Sequence, residues 1–133
     1  MQEEAGVRWP WLKFLYWYTL LGGGAVGVVV IVTPGLFASL FRMPAQDPYM
    51  LGVAGSFWLV SGLVAIFGLR APLVFAPTLL VQLAYKSTWL LGVFLPHLLA
   101  GAVPVYGWAV ALVFSSYVVL DLIAIPFARI LAR

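Results

Sequence analysis

Cysteine is absent from this sequence, and histidine occurs once, as His97. The absence of cysteine excludes disulfide bonds, thiolate metal ligands and thiol redox chemistry. A metal site with several protein ligands would have to combine His97 with the 4 acidic residues of the whole chain, so we predict no metal site. Phosphate-binding loops, nucleotide fingerprints, Ser/His/Asp sets and carboxylates paired at hydrolase spacing are also missing. The sequence therefore gives little support for an enzyme.

Charged side chains are scarce as well, at 8% of the chain, while hydrophobic residues make up 65%. Ordinary soluble domains carry about 25% charged residues. Four apolar stretches, each of about 22 residues, can cross roughly 30 Å of hydrocarbon as helices; they are 11–33, 48–69, 73–95 and 105–126. Transmembrane β-strands would instead alternate in polarity over about 10 residues. We therefore predict an all-α polytopic membrane protein, with four transmembrane helices in an up-down bundle and one integral membrane domain over residues 1–133.

The few cations are divided unequally between the two ends of such a bundle. Arg42 lies at one end, and five cations lie at the other, namely Arg8, Lys13, Arg70, Arg129 and Arg133. Because cytoplasmic segments carry the excess of Lys and Arg, we predict a multi-pass protein of the bacterial inner (plasma) membrane with both termini in the cytoplasm. The same cations indicate contact with anionic lipid headgroups and no nucleic-acid binding. We expect the first span to be retained, since acidic residues precede it and no signal-peptide cleavage motif follows it.

A short amphipathic segment follows the first span, over residues 35–43. Its large apolar side chains recur at a spacing that suits one face of a helix, and they are Leu36, Phe37, Leu40 and Phe41. Pro44 comes directly after the segment. We predict a short helix lying in the membrane interface.

Small residues are concentrated in the first two spans. Gly23 and Gly27 form a GxxxG pair, and the full set is Gly22, Gly23, Gly24, Gly27, Gly52 and Gly55. Glycines on a helix surface let another backbone approach closely, so we predict that they serve helix packing. The alternative is that the glycines leave room for a pigment, a lipid tail or a quinone.

Lys86 lies near the middle of the third apolar stretch. A lysine at the centre of a membrane helix costs roughly 2.5–3.5 kcal/mol on insertion scales. Other polar or aromatic residues share its helix face, because all fall within a sector of about 100–120°; they are Thr78, Gln82, Tyr85 and Trp89. This face is expected to point into the bundle or toward a partner protein. It would serve as a polar contact between helices, as a ligand site, or as a transport pathway.

Matching the depths of the four helices gives candidate partners for Lys86. Ser56 and Ser115 fall at about its level, while Asp121, the one acidic residue within a span, is displaced by about seven residues, or roughly 10 Å. Asp121 is level with Tyr16–Tyr18 and Thr78. A direct ion pair between Lys86 and Asp121 is therefore left open, with Tyr85, Tyr117, a water molecule or an external partner as other companions.

In plan the chain resembles small bacterial four-helix membrane proteins of the DoxX-like kind. The likeness covers about residues 34–91 and includes the Phe-rich turn of Phe37, Phe41 and Pro44. It also includes a glycine-rich second helix that ends in Gly68-Leu69-Arg70, whereas residues 82–89 depart from the pattern. The resemblance implies a four-helix membrane fold and a loose link to quinone or sulfur redox systems.

Three functions are compatible with these features. The first is an accessory or structural subunit of a larger respiratory or photosynthetic membrane complex, with membrane lipids and other subunits or a second copy as partners. The alternative is a binding or redox-accessory protein for an apolar ligand such as a quinone, sterol or carotenoid. The third is a small proton-coupled transporter that uses Lys86 and Asp121, although no inverted repeat supports it.

Overall fold

The computed structural model describes residues 6–132 as a bundle of four long helices and two short ones. The long helices are α1 (Trp9–Val32), α3 (Pro48–Arg70), α4 (Pro72–Leu99) and α5 (Val105–Ala124). The short helices are α2 (Pro34–Leu40) and α6 (Phe127–Leu131). All four long helices are long and apolar enough to cross a membrane. The predicted all-α, four-span fold is confirmed.

Prolines and an aspartate fix where several helices begin. Pro48 and Pro72 occupy the first turns of α3 and α4, where a missing backbone donor costs little. The Asp47 carboxylate caps α3 by accepting hydrogen bonds from the backbone N–H groups of Tyr49 at 2.9 Å and Met50 at 3.0 Å.

The ends of two predicted spans differ from the observed ones. α4 does not end at residue 95 but continues through Pro96 to Leu99, and a π-helical segment, Leu90–Phe94, ends two residues before the proline. Such local adjustments give a proline room inside a membrane helix. α5 ends at Ala124 because Ile125 is extended, as the residue before Pro126 prefers to be.

The predicted interfacial segment forms α2, which is shorter than residues 35–43. Phe37 is buried and packs against Phe41 and Trp58, with ring centroids 4.9 and 6.5 Å apart. Leu36 and Leu40 are exposed. The phenyl side of α2 therefore faces the bundle, and its leucines face outward.

Glycines bring α1 and α3 into direct backbone contact. A Cβ atom on Gly27 would lie 2.7 Å from the Gly55 carbonyl oxygen, and a Cβ atom on Gly24 would lie 3.5 Å from the Cα atom of Gly62. Gly55 itself faces Val30 of α1. Gly52 is different, since nothing lies within 4 Å of the position its Cβ would take. The structure therefore places Gly24, Gly27 and Gly55 in a helix contact and leaves Gly52 outside it.

A buried core lies beside this contact and joins α1, α3, α4 and α5. Its members are mainly large apolar side chains, namely Leu12, Leu15, Tyr16, Ala65, Leu79, Tyr117, Ala124 and Ile125. The Tyr16 hydroxyl donates to the Pro72 carbonyl oxygen at 2.7 Å, which ties α1 to the start of α4. This core holds in place the helices that carry the polar residues described next.

Candidate functional site

A cavity of about 240 Å³ lies within the bundle, between α1 and α5, with α2, α3 and α4 also contributing walls. Most of its lining is aromatic or aliphatic, and its polar side chains are Thr19, Ser61, Gln82, Lys86 and tyrosine hydroxyls. Membrane-soluble ligands occupy concave sites of this kind, with an apolar wall and a few placed polar groups. The aromatic residues around it are Tyr18, Phe37, Phe41, Trp58, Tyr85, Phe114 and Tyr117.

Lys86 lines this cavity and is only 4% exposed. Its Nζ atom lies 3.9 Å from the ring centroid of Tyr117 and 4.6 Å from that of Tyr85. Phe114 is the third ring, at 5.6 Å. A desolvated cation over an aromatic face gains about 2 kcal/mol. In the part of the chain that the structure describes, the ammonium has these ring faces and no hydrogen-bond acceptor.

Ser56 and Ser115, which match Lys86 in depth, do not contact it. Both are exposed on the outer faces of α3 and α5. Ser61 lines the cavity instead, and its hydroxyl donates to the Phe57 carbonyl oxygen at 2.7 Å. Five residues along a helix turn the side chain by about 140°, so Ser56 and Ser61 cannot both face inward.

Gln82 and Asp121 form the polar centre of the contact between α4 and α5. Gln82 donates through Nε2 to Asp121 Oδ1 at 3.0 Å, and Thr19 of α1 donates to Gln82 Oε1 at 3.2 Å. All three residues are buried, and Asp121 is 0% exposed. The second carboxylate oxygen, Oδ2, has no hydrogen-bond partner among the described residues.

Lys86 and Asp121 do not form a direct ion pair, since no carboxylate oxygen of residues 6–132 lies within 4.0 Å of the ammonium. α4 and α5 run antiparallel, and each presents two side chains one helical turn apart. Gln82 therefore meets Asp121, while Lys86 meets the Tyr117 ring. The Gln82 amide occupies the position beside the Asp121 carboxylate that the Lys86 ammonium would need for an ion pair.

A π-helical segment in α1, Thr19–Gly24, shapes the wall opposite Lys86. π segments within α-helices occur frequently at functional sites. The Tyr117 hydroxyl donates to the Tyr18 carbonyl oxygen at 2.9 Å, just before this segment. A Cβ atom on Gly22 would lie 2.6 Å from that hydroxyl oxygen. Glycine at position 22 therefore leaves the space that the Tyr117 side chain occupies.

A second cavity, of about 220 Å³, shares Thr19, Ser61 and Gln82 with the first. The hydrogen bond between Thr19 and Gln82 thus lies between the two cavities. Thr78 faces the second cavity, and its hydroxyl donates to the Phe75 carbonyl oxygen at 2.6 Å. Trp89 lines neither cavity and packs edge-on against Phe114, with centroids 5.1 Å apart.

The structure thus brings Gln82, Tyr85, Lys86 and Asp121 together and places Ser56, Thr78 and Trp89 elsewhere. Sequence reasoning did not select the other polar contributors, Thr19 and Ser61, or the Phe114 ring. The sequence did contain a feature that could have identified Thr19. This polar residue directly follows Tyr16–Tyr18, which match Asp121 in depth.

Comparison with protein-family models, curated proteins and solved structures finds no significant match to this chain. The resemblance to DoxX-like proteins therefore stays a prediction, and the functional argument depends on the geometry of the site.

Replacing Gly22 with alanine is expected to displace the Tyr117 ring, because the new methyl group would overlap its hydroxyl group. We expect a loss of about 1–2 kcal/mol in the free energy of unfolding, from overpacking and the lost hydrogen bond to Tyr18. Unfolding by denaturant, followed by circular dichroism in detergent, measures it.

Gly23→Ala is the matched control for this prediction. A Cβ atom there would meet the Trp58 carbonyl oxygen at 3.6 Å, an ordinary contact. Equal losses in the two variants would show that the Tyr117 hydroxyl does not occupy the position described.

Proposed function

We propose that the protein binds an apolar, membrane-soluble molecule in the cavity beside Lys86 and holds an oxygen acceptor of that molecule with the lysine ammonium. The observation that carries this proposal is the buried ammonium, which faces an apolar cavity without a protein acceptor in the described chain. A charge at this depth is costly unless something compensates it. A ligand oxygen would complete the hydrogen bonding that the ring faces leave unmet.

The ligand classes predicted from the sequence, namely quinones, sterols and carotenoids, all supply an extended apolar body for the aromatic walls. Those that carry a carbonyl or hydroxyl oxygen also supply an acceptor for Lys86. Gln82 is fixed between Thr19 and Asp121, so it supports the wall of the site without needing the ligand.

The orientation that accompanies this proposal is the one predicted from the cations, with both termini in the cytoplasm of a bacterium. Arg8 precedes α1, Arg70 ends α3 and Arg129 lies in α6, so the helix order supports placing them at one end. The Arg8 guanidinium donates to the Ile123 carbonyl oxygen at 3.3 Å, near the end of α5. Anionic headgroups at that surface would stabilise the arrangement.

The accessory-subunit function stays a prediction. Gly52 and Ser56 leave a stretch of α3 with small side chains and no neighbour at Gly52, which is where another helix would approach. Nothing in residues 6–132 indicates the chemistry of such a partner. The transporter function also stays a prediction and ranks third.

Lys86→Met tests the proposed function, because methionine keeps the apolar stem and removes the ammonium. The protein would be purified in a mild detergent, and its bound small molecules would be extracted and identified by mass spectrometry. We expect the wild type to retain an apolar compound other than bulk phospholipid, and Lys86→Met to retain at least about tenfold less, since a hydrogen bond to a charged group contributes roughly 1.5–3 kcal/mol.

Ser56→Leu is the control for a general effect of altering a span, because Ser56 is exposed and lines neither cavity. It should retain as much of the compound as the wild type. Recovery of bulk phospholipid alone, or equal retention by Lys86→Met with intact helicity, would contradict the proposed function.

A further inference from the structure

In the part of the chain that the structure describes, no opposite charge lines the cavity that holds the Lys86 side chain. Among residues 6–132, no aspartate or glutamate lines the cavity wall. Asp121 is outside that wall, and its bonded oxygen is taken by Gln82. An ammonium that faces an apolar cavity creates a positive potential there, because walls of low dielectric constant screen it little.

Three hydroxyl groups of the cavity wall offer no donor to a ligand, because their hydrogens are committed to other acceptors. The Thr19 hydroxyl donates to Gln82, the Ser61 hydroxyl to the Phe57 carbonyl and the Tyr117 hydroxyl to the Tyr18 carbonyl. Among residues 6–132, the Lys86 ammonium is the cationic donor that faces the cavity. The ring faces of Tyr85 and Tyr117 attract the ammonium through cation–π contacts, but they supply no oxygen acceptor for its hydrogen bonds.

The remainder of the cavity wall suits hydrocarbon. Val26, Ala109, Val110 and Val113 supply aliphatic surface, and Phe37 of α2 and Phe41, which follows α2, line one side. A molecule that fills this space and also pairs with Lys86 has an apolar body and an anionic oxygen at one end.

We infer that the ligand is a lipophilic carboxylate, such as a free fatty acid, whose carboxylate oxygen pairs with the Lys86 ammonium. This inference rests on the proposed function and names the chemical class that the same site selects. Charge-assisted hydrogen bonds are shorter and roughly twice as strong as neutral ones, so the site distinguishes the anion from a neutral molecule of the same shape. Phospholipids also carry anionic oxygens, but their headgroups stay in the interface, away from the depth of Lys86.

The test compares decanoic acid with methyl decanoate, which has nearly the same shape and no charge. Affinities for the purified protein in a nonionic detergent would be measured for each by native mass spectrometry, at a pH where the acid is ionised. We expect the wild type to bind the acid at least about tenfold more tightly than the ester. Lys86→Gln keeps a donor without the charge, and it should bring the two affinities within about twofold.

Lys13→Gln is the matched control, because it removes an exposed cation outside the cavity, and it should keep the wild-type preference. A phosphatidylglycerol competitor should not displace the acid; displacement by it would overturn the inference. Equal binding of acid and ester by the wild type would also overturn it while leaving the proposed function standing. That comparison needs no mutant. If the wild type bound neither compound, the fatty-acid class would be wrong. If the extraction experiment also recovered only bulk phospholipid, the proposed function would be wrong as well.

Discussion

Gly27→Ala is expected to lower the free energy of unfolding by about 3 kcal/mol, at the upper end of what overpacking usually costs. The added Cβ would overlap the Leu59 backbone nitrogen and lie 2.7 Å from the Gly55 carbonyl oxygen. It would also lie 2.9 Å from the Leu59 Cα atom. All three are backbone atoms of α3, so no side-chain rotation can relieve the overlap. α1 and α3 would have to separate along their contact, and denaturant titration in detergent with circular dichroism measures the loss.

Gly52→Ala provides the matched control on α3. Its Cβ would meet nothing within 4 Å, and alanine has a better helix propensity than glycine by roughly 1 kcal/mol. The control should therefore be as stable as the wild type or slightly more stable. Similar destabilisation by both substitutions would mean that the two helices do not meet at Gly27.

Asp121→Ala is expected to lower the free energy of unfolding by about 2 kcal/mol, because it leaves a buried amide donor without an acceptor. Gln82 Nε2 loses its partner at 3.0 Å, and the bond that positions the Thr19 hydroxyl weakens with it. Since Gln82 and Thr19 line the cavity, the retention of ligand should fall as well. Chemical unfolding and ligand extraction on the same preparation measure the two effects.

Asp121→Asn separates the hydrogen bond from the charge. Asparagine keeps a carbonyl oxygen in the position of Oδ1 and should recover most of the stability lost in the alanine variant. If alanine at position 121 proved harmless, the bond between Gln82 and Asp121 would not hold α4 and α5 together.

Composition and periodicity predicted the fold well, because each span is a continuous apolar run that only a helix can place in hydrocarbon. The errors lie at prolines. The third predicted span ends at residue 95, just before Pro96, whereas a π segment before the proline lets α4 continue to Leu99. Hydrogen bonding of that kind depends on neighbouring helices, and the local sequence does not specify it.

The candidate site was predictable along one helix and less so between helices. The helical period placed Gln82 and Lys86 on one face, and both are buried. Matching the depths of the helices predicted Ser56 as a partner of Lys86. Depth gives the position of a residue along the helix axis, but it does not give the direction in which its side chain points. The rotation of α3 follows from its backbone contact with Gly24 and Gly27, which turns Ser61 inward and leaves Ser56 exposed.

Tyr117 uses two parts of one rigid side chain for two different purposes. Its ring face supports the Lys86 ammonium at 3.9 Å, and its hydroxyl donates to the backbone of α1 at Tyr18. The phenol has no flexible linker between these parts, so a shift of the lysine that tilts the ring also pulls on the main chain of the first helix. A ligand that moved the lysine, as the proposed function implies, would therefore also act on the local winding of α1 through a single aromatic group.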